Sequence, residues 1–260
     1  MRLQLTLRPF TPNATVPINY QYPLSAAIYK ILQQASPDYA SFLHDRGYPA
    51  PSGRMMKLFS FSKLWIPGGR RFGETLRGGQ APWQLQIGSP MLDEFVQNFV
   101  LGLFDACEIT IAAHGLRAQF TVEGVETLAV PEFEHTMRFK CLSPITASTM
   151  VDRQGRKQIH YYRPDDAGLP EALRQNLLQK YEIIHARPPE NSALTFRFEA
   201  SDRPRQKLIT IKQGTPEETR VACFESYFTL AGSPALMQTA WECGLGERGS
   251  QGFGMVECLE

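Results

Sequence analysis

The sequence predicts an α+β protein built from two tandem ferredoxin-like domains, each with the element order β-α-β-β-α-β. Three observations support this prediction. Short runs alternate apolar and polar residues, as half-buried strands do. Apolar stripes of helical period lie between these runs. The same order occurs twice along the chain, although the two halves do not match in sequence. We predict domains over residues 1–128 and 129–260, with the boundary around Pro131.

The first half shows the predicted elements in order. Leu3, Leu5 and Leu7 alternate with polar residues, which predicts a strand. Helices are predicted where a proline precedes apolar residues at helical spacing. These helices begin at Pro23, Pro37 and Pro90. The remaining strands of this half are predicted over residues 57–66, 83–87, 108–111 and 116–122.

The second half repeats the pattern. An apolar stripe predicts a helix over residues 171–184. Ser233 followed by Pro234 is typical of a helix N-terminus, and that helix should end near Gly244. The strands of this half are predicted over residues 137–141, 195–198, 221–230 and 253–259.

Composition is that of a folded protein. Of 260 residues, 43% are hydrophobic and 20% are charged, which is too apolar for general disorder. With 27 basic and 26 acidic residues, the chain is not a polycation. Nucleic-acid binding is not excluded, because charge can be segregated by face. Arginine outnumbers lysine by 19 to 8, which favours phosphate binding, although genomic GC bias explains it equally well.

Membrane and metal functions are disfavoured. No apolar run approaches the roughly 18 residues of a membrane span. The N-terminal segment alternates and lacks the apolar core of a signal peptide, so we expect a cytoplasmic protein with no membrane partner. The five cysteines are odd in number and form no CxxC pair, which disfavours disulfides and zinc. We expect neither a metal nor a cofactor.

Charge is segregated along the chain. Residues 44–80 hold seven basic and two acidic residues, and residues 135–163 hold six and one. Residues 91–134 hold one basic and eight acidic residues. If the two positive tracts share a face, they form a groove for a polyanion. Two unrelated solvated surfaces are the alternative.

A glycine-rich segment near the C-terminus contains the pattern GxGxxG. Its glycines are Gly244, Gly246, Gly249, Gly252 and Gly254. A dinucleotide-binding fingerprint needs a preceding strand, a following helix and an acid about 20 residues later. The order is reversed in this chain, so a loop between a helix and a strand fits better. Such a loop leaves N–H groups and Arg248 free to hold phosphate. A helix C-cap with a tight turn is the alternative.

Three side chains in the first half are candidates for chemistry. His44 follows a short helix and precedes a basic loop, and imidazole suits proton transfer at neutral pH. Tyr29 lies in a helix beside apolar residues, and Lys57 precedes an apolar strand. When each residue is considered alone, a structural role is favoured. His44 would be a structural histidine, Tyr29 a core aromatic, and Lys57 part of a solvated strand edge.

Several motifs resemble one family. Residues 19–32, 42–44, 57–61, 142–145 and 244–256 are similar to motifs of the CRISPR repeat-processing endoribonucleases, which belong to the RAMP superfamily. The motifs occur in the family's order over nearly the whole chain. The resemblance implies a tandem ferredoxin-like fold and cleavage of a CRISPR precursor transcript once per repeat, without metal. It implies CRISPR repeat RNA as partner, with a CRISPR effector complex and a homodimer as further candidates.

The resemblance also implies functional residues. Tyr29, His44 and Lys57 match the family's catalytic set. In that chemistry the RNA 2′-hydroxyl attacks the adjacent phosphorus, leaving 2′,3′-cyclic phosphate and 5′-hydroxyl ends. Tyr29 and His44 divide the base and acid roles in an order left open, and Lys57 stabilises charge. Arg54 is a candidate to assist Lys57. RNA would be positioned by the glycine-rich loop and by the basic residues Arg54, Arg70, Arg71, Arg153, Arg156, Lys157 and Arg248.

Two other interpretations remain open at this stage. The first is a non-catalytic RAMP subunit that binds guide RNA within an effector complex. The second is an unrelated ferredoxin-like protein with a glycine turn. The presence of Tyr29, His44 and Lys57 together favours the enzyme.

Overall fold

The computed structural model describes residues 1–259 and all of their side chains except that of Arg153. The architecture is mixed α/β, with several antiparallel sheets and five α-helices over this range. No helix among the described residues is long and apolar enough to cross a membrane.

The first half is built on a five-stranded antiparallel sheet. In chain order the elements are β1 (Arg2–Pro9), β2 (Thr15–Pro17), α1 (Gln21–Ala35), α2 (Pro37–Ser41), a π-helical turn (Phe42–Arg46), β3 (Tyr48–Pro49), β4 (Met55–Met56), β5 (Ser60–Phe61), β6 (Arg70–Phe72), β7 (Thr75–Arg77), β8 (Trp83–Gly88), a second π-helical turn (Leu92–Val96), α3 (Gln97–Ala106), β9 (Glu108–Ala113) and β10 (Leu116–Thr127). The sheet order is β5-β8-β1-β10-β9. Strands β2, β7 and β6 form a small separate sheet, and β3 pairs with β4.

The core of this half lies between the sheet and two helices. Leu3, Leu5 and Leu7 are buried on one face, as their alternation predicts. Helices α1 and α3 cover that face and approach each other closely. A Cβ atom on Gly102 of α3 would lie 2.1 Å from the carbonyl oxygen of Ile31 in α1. Glycine is therefore required at this crossing.

The second half is built on a four-stranded antiparallel sheet. Its elements are β11 (Thr136–Cys141), β12 (Ser148–Arg153), β13 (Arg156–Tyr161), α4 (Leu169–His185), β14 (Leu194–Phe198), β15 (Arg205–Ile211), β16 (Thr219–Glu225), β17 (Tyr227–Gly232), α5 (Pro234–Cys243), a 3₁₀ turn (Gly249–Gln251) and β18 (Val256–Leu259). The sheet order is β14-β17-β11-β18. Two hairpins, β12–β13 and β15–β16, stand outside this sheet.

Two predicted strands differ in extent. The single strand predicted over residues 221–230 is two strands, β16 and β17, which belong to different sheets. Both the Ser226 hydroxyl and the Tyr227 N–H donate to the Asp202 carboxylate, which holds the chain at the break. In the segment predicted as a strand over residues 57–66, the sheet strand is Ser60–Phe61, and Trp65 adds an isolated bridge to β8. The pairing is interrupted at Lys63, whose N–H donates to the carbonyl of Leu142 in the second half.

A buried arginine joins the two halves. Arg2 of β1 is 1% exposed, and its Nη2 donates to the carbonyls of Trp241 and Val256 at 2.5 and 2.7 Å. Its guanidinium also lies 4.4 Å from the centre of the Trp241 ring. These contacts hold β1 against α5 and the start of β18. A buried cation with neutral partners is stabilising only while those partners stay in place.

We predict that Arg2→Met lowers the free energy of unfolding by about 2–4 kcal/mol, because two buried carbonyls lose their charged donor. Urea denaturation followed by tryptophan fluorescence measures the change. Arg8→Met on the same strand is the matched control, since Arg8 is exposed and pairs with Glu123 at the surface. Equal unfolding midpoints for the two variants would contradict the assigned role of Arg2.

Candidate active site

The three side chains singled out in the first half converge. Tyr29 lies on α1, His44 in the first π-helical turn, and Lys57 directly after β4. The Tyr29 and His44 rings meet edge to face with centroids 5.5 Å apart. The Lys57 ammonium donates to the backbone carbonyl of His44 and lies 5.7 Å from the centre of the Tyr29 ring. The structure therefore brings a phenol, an imidazole and an ammonium group together.

Local backbone geometry produces this convergence. The π-helical turn ends at Gly47, which has a φ of 77°. A Cβ atom there would lie 2.6 Å from the carbonyl oxygen of Met56, so the β3–β4 hairpin can close only on glycine. That closure brings Lys57 back beside His44. Tyr29 is fixed separately, by edge-to-face packing on Phe59.

Burial shifts the pKa values of Tyr29 and Lys57 in opposite directions. Burial raises the pKa of Tyr29 well above its ordinary value. The Tyr29 hydroxyl oxygen is enclosed and has no hydrogen-bond partner among the described residues. Burial also lowers the pKa of Lys57, against a smaller opposing effect of Asp45. At neutral pH Tyr29 is therefore a proton-bearing group.

His44 is exposed and interacts with an acidic neighbour. Its Nδ1 lies 2.8 Å from Oδ1 of Asp45. Hydrogen bonds from His44 and then from Ser41 hold the pKa of the Asp45 carboxyl below its usual value. Asp45 is therefore ionised at neutral pH and can orient the imidazole so that Nε2 is presented outward.

A cleft of about 440 Å³ lies at the junction of the two halves, and of the three groups Lys57 lines it, whereas Tyr29 and His44 do not. One wall is the segment 54–57, which includes Lys57. The facing wall is the segment 246–251, and Asn176 and Lys180 of α4 contribute a third side. A ligand in the cleft would therefore contact both halves of the chain.

The glycine-rich loop packs against the first half. Its five glycines, Gly244, Gly246, Gly249, Gly252 and Gly254, all lie between α5 and β18. A Cβ atom on Gly249 would lie 2.6 Å from the carbonyl oxygen of Phe59, and one on Gly246 would lie 2.4 Å from that of Thr146. The N–H groups of Gly252 and Gly254 donate within the protein, to Gly249 and Pro144. Close backbone approach thus explains these glycines directly, and only part of the loop's N–H groups remain for a ligand.

Lys180 organises this loop, although none of the sequence motifs includes it. Lys180 is 7% exposed, and its ammonium donates to the carbonyls of Cys243, Gly244 and Gly246 at 3.3, 2.8 and 2.8 Å. It thereby binds the C-terminal end of α5, where carbonyls lack helical partners. A signal was available, because Lys180 falls in the apolar stripe of α4 with Leu173 and Leu177.

Two of the predicted RNA-binding arginines reach the cleft. Arg54 lines it and lies 3.3 Å from the Glu247 carboxylate, which also accepts from Ser148. Arg248 lines it too, and its guanidinium lies 3.0 Å from the Gln251 side-chain oxygen. A phosphate entering the cleft would compete with Glu247 for Arg54.

The other predicted RNA-binding residues do not line the cleft. Arg70 and Arg71 lie on β6, where Arg71 pairs with Glu74 at 3.2 Å. Arg156 and Lys157 are exposed at the start of β13. The Arg153 side chain lies outside the described residues. Within the described part of the chain, no group of three or more His, Cys, Asp or Glu side chains could hold a metal ion.

Comparison with known proteins identifies related chains. The family model "CRISPR associated protein Cas6, C-terminal" matches residues 128–258, and "CRISPR-associated protein Cas6, N-terminal" matches residues 15–126. The curated "CRISPR-associated endoribonuclease Cas6 1" of Methanocaldococcus jannaschii is 33% identical, covering 100% of this chain and 93% of the relative.

Solved structures agree with these matches. One described as "CRISPR associated protein Cas6" is 30% identical with a TM-score of 0.77, covering 100% of this chain and 99% of its own. Another, described as "An RAMP protein binding different RNA substrates", has a TM-score of 0.83 at 21% identity and covers 100% of both chains. The second supports the shared fold alone.

Burial lowers the pKa of Lys180 to about 8, so its proton is held less tightly in the folded state than in the unfolded state. The stability of the wild type relative to Lys180→Met should therefore rise as pH increases from about 8 towards the ordinary lysine value. Urea unfolding of both proteins between pH 7 and pH 10 measures this difference. A difference that stays constant or falls over that range would contradict the assignment.

Proposed function

The chain belongs to the Cas6 family of CRISPR-associated proteins, and from this premise we propose that it is an endoribonuclease that binds CRISPR repeat RNA and cleaves the precursor transcript within each repeat. The observation that carries the proposal is the convergence of Tyr29 and His44 on Lys57, which lines a cleft formed by both halves. A general base, a proton donor and a cation are the groups that RNA cleavage by its own 2′-hydroxyl requires.

In the proposed mechanism the 2′-hydroxyl oxygen forms a bond to the adjacent phosphorus, and the bond from phosphorus to the 5′-oxygen breaks. His44 takes the 2′-hydroxyl proton, since its imidazole is exposed and oriented by Asp45. Tyr29 stays protonated because its pKa is raised, and it donates towards the leaving oxygen once RNA binding exposes its enclosed hydroxyl. Lys57 stabilises the charge on the phosphorane. The products are a 2′,3′-cyclic phosphate and a 5′-hydroxyl, and no metal takes part.

RNA positioning is proposed to use cations inside and outside the cleft. Arg54 and Arg248 contact the phosphates nearest the cleavage point, since both line the cleft. The β12–β13 hairpin, with Arg153, Arg156 and Lys157, and the β6 residues Arg70 and Arg71 would hold more distant phosphates. Charge on such residues contributes affinity without sequence information. Association with an effector complex, homodimerisation and a cytoplasmic location remain predictions.

We also propose that residues 1–128 and 129–260 form two ferredoxin-like domains. The orders β5-β8-β1-β10 and β14-β17-β11-β18 support this, because the first strand of each half pairs with its last strand and with the strand that precedes its last α-helix. Strand β9 is then an additional edge strand of the first domain.

We predict that the purified protein cleaves its own repeat RNA fully in EDTA, leaving 2′,3′-cyclic phosphate ends. The chemistry needs only the 2′-hydroxyl and the three side chains, so chelation should not change the rate. Replacing the ribose on the 5′ side of the cleaved phosphate by deoxyribose should abolish cleavage and preserve binding. Loss of activity in EDTA with recovery on adding a divalent ion would exclude this mechanism, and binding without any cleavage would favour the non-catalytic subunit.

We predict that His44→Ala slows single-turnover cleavage by roughly 10²–10⁴-fold, as expected for loss of a general base. The exposure of His44 leads us to expect little change in melting temperature or RNA affinity. His185→Ala is the control, because His185 lies at the end of α4 and packs on Tyr181, whereas His44 packs on Tyr29 and accepts from Lys57. Wild-type cleavage by a folded His44→Ala protein would remove His44 from the mechanism.

A further inference from the structure

One amide oxygen at the cleft has no hydrogen-bond partner in the fold. Asn176 lies on α4, lines the cleft, and is 8% exposed. Its Oδ1 atom is shut off from solvent and has no hydrogen-bond partner among the described residues. A buried polar atom without a partner costs free energy, so folded proteins rarely keep one without a reason.

The neighbour of Asn176 shows the contrast. Lys180 lies one turn further along α4 and lines the same cleft, but its ammonium is engaged by three carbonyls of the glycine-rich loop. Lys180 is therefore committed to holding the loop. Asn176 lines the same cleft with hydrogen-bonding capacity left over, and another wall of that cleft carries Arg54 and Lys57.

We propose that Asn176 is a specificity-determining residue, whose amide pairs with the base edge of a nucleotide next to the cleaved phosphate. This inference rests on the proposed function. A carboxamide offers one donor group and one acceptor, and a nucleobase edge presents the complementary pair. Because Oδ1 is enclosed in the free protein, the amide turns about its Cβ–Cγ bond to present both groups to the base. The cations of the cleft can hold any phosphate, so Asn176 supplies what they lack, a contact that differs between bases.

The two possible roles of Asn176 predict different changes in the stability of the fold when it is replaced. A structural asparagine stabilises the fold, and its replacement lowers the melting temperature. An asparagine kept for RNA leaves its buried oxygen unpaired in the free protein, so an apolar replacement should cost the fold nothing or stabilise it. The same replacement should weaken RNA recognition. Opposite effects on stability and on recognition therefore distinguish the two roles.

The test uses Asn176→Ala and Asn176→Leu in the full chain, with Gln175→Ala as matched control. Gln175 is the preceding residue of α4, is exposed, and bonds only Glu171. Melting temperature is measured first. Affinity is then measured for repeat RNA made uncleavable by one 2′-deoxyribose, with each of the four bases placed in turn at the three nucleotides on either side of the cleavage point.

We expect wild type and Gln175→Ala to discriminate between bases at one of these positions by about 5- to 150-fold. Both Asn176 variants should lose discrimination at that position alone, with a melting temperature equal to or above wild type. Unchanged discrimination in the variants, or discrimination at none of the six positions in the wild type, would overturn the inference. If the wild type binds RNA without cleaving it, the proposed function fails while the recognition test still decides the role of Asn176.

Discussion

The contact between the glycine-rich loop and the segment before β5 is the constraint on which the site depends. Gly249 approaches the carbonyl of Phe59 more closely than any Cβ atom would permit. Phe59 in turn packs on Tyr29, and Lys57 lies two residues before it. A side chain at position 249 would push the loop away from the wall that carries Lys57. The cleft exists at its observed width because that side chain is absent.

The close approach of the glycine-rich loop to the first half determines which charged groups of the cleft are paired. Carbonyl oxygens at the end of α5 and the start of the loop lack helical partners. The buried Lys180 ammonium donates to three of them. The loop also carries Glu247, which engages Arg54 across the cleft. In the free protein these contacts keep the two walls together, and most of the cationic charge already has a protein partner. An RNA phosphate would therefore exchange with a carboxylate rather than enter an empty basic pocket.

Much of the framework was readable in the sequence, because it depends on local pattern. Alternating apolar and polar residues predicted β1, and a proline in the first turn of each helix predicted α2 and α5. Tyr29, His44 and Lys57 were singled out by resemblance, and no spacing rule places a residue of α1 beside one that follows β4. The break at Ser226 and the hydrogen bonds of Lys180 depend on partners more than 20 residues away in the chain. Asn176 could not be recognised from sequence, since what distinguishes it is a partner that it lacks.

The central claim is that the cleaved phosphate lies in the cleft between the two halves. A crystal structure of the complex with repeat RNA, made uncleavable by a single 2′-deoxyribose, tests it most directly. The account places that phosphate within about 3 Å of the Lys57 ammonium, a normal hydrogen-bond distance, with the 2′-carbon facing His44. A cleaved phosphate bound outside the cleft, for example along the β12–β13 hairpin with Lys57 and His44 facing solvent, would contradict it.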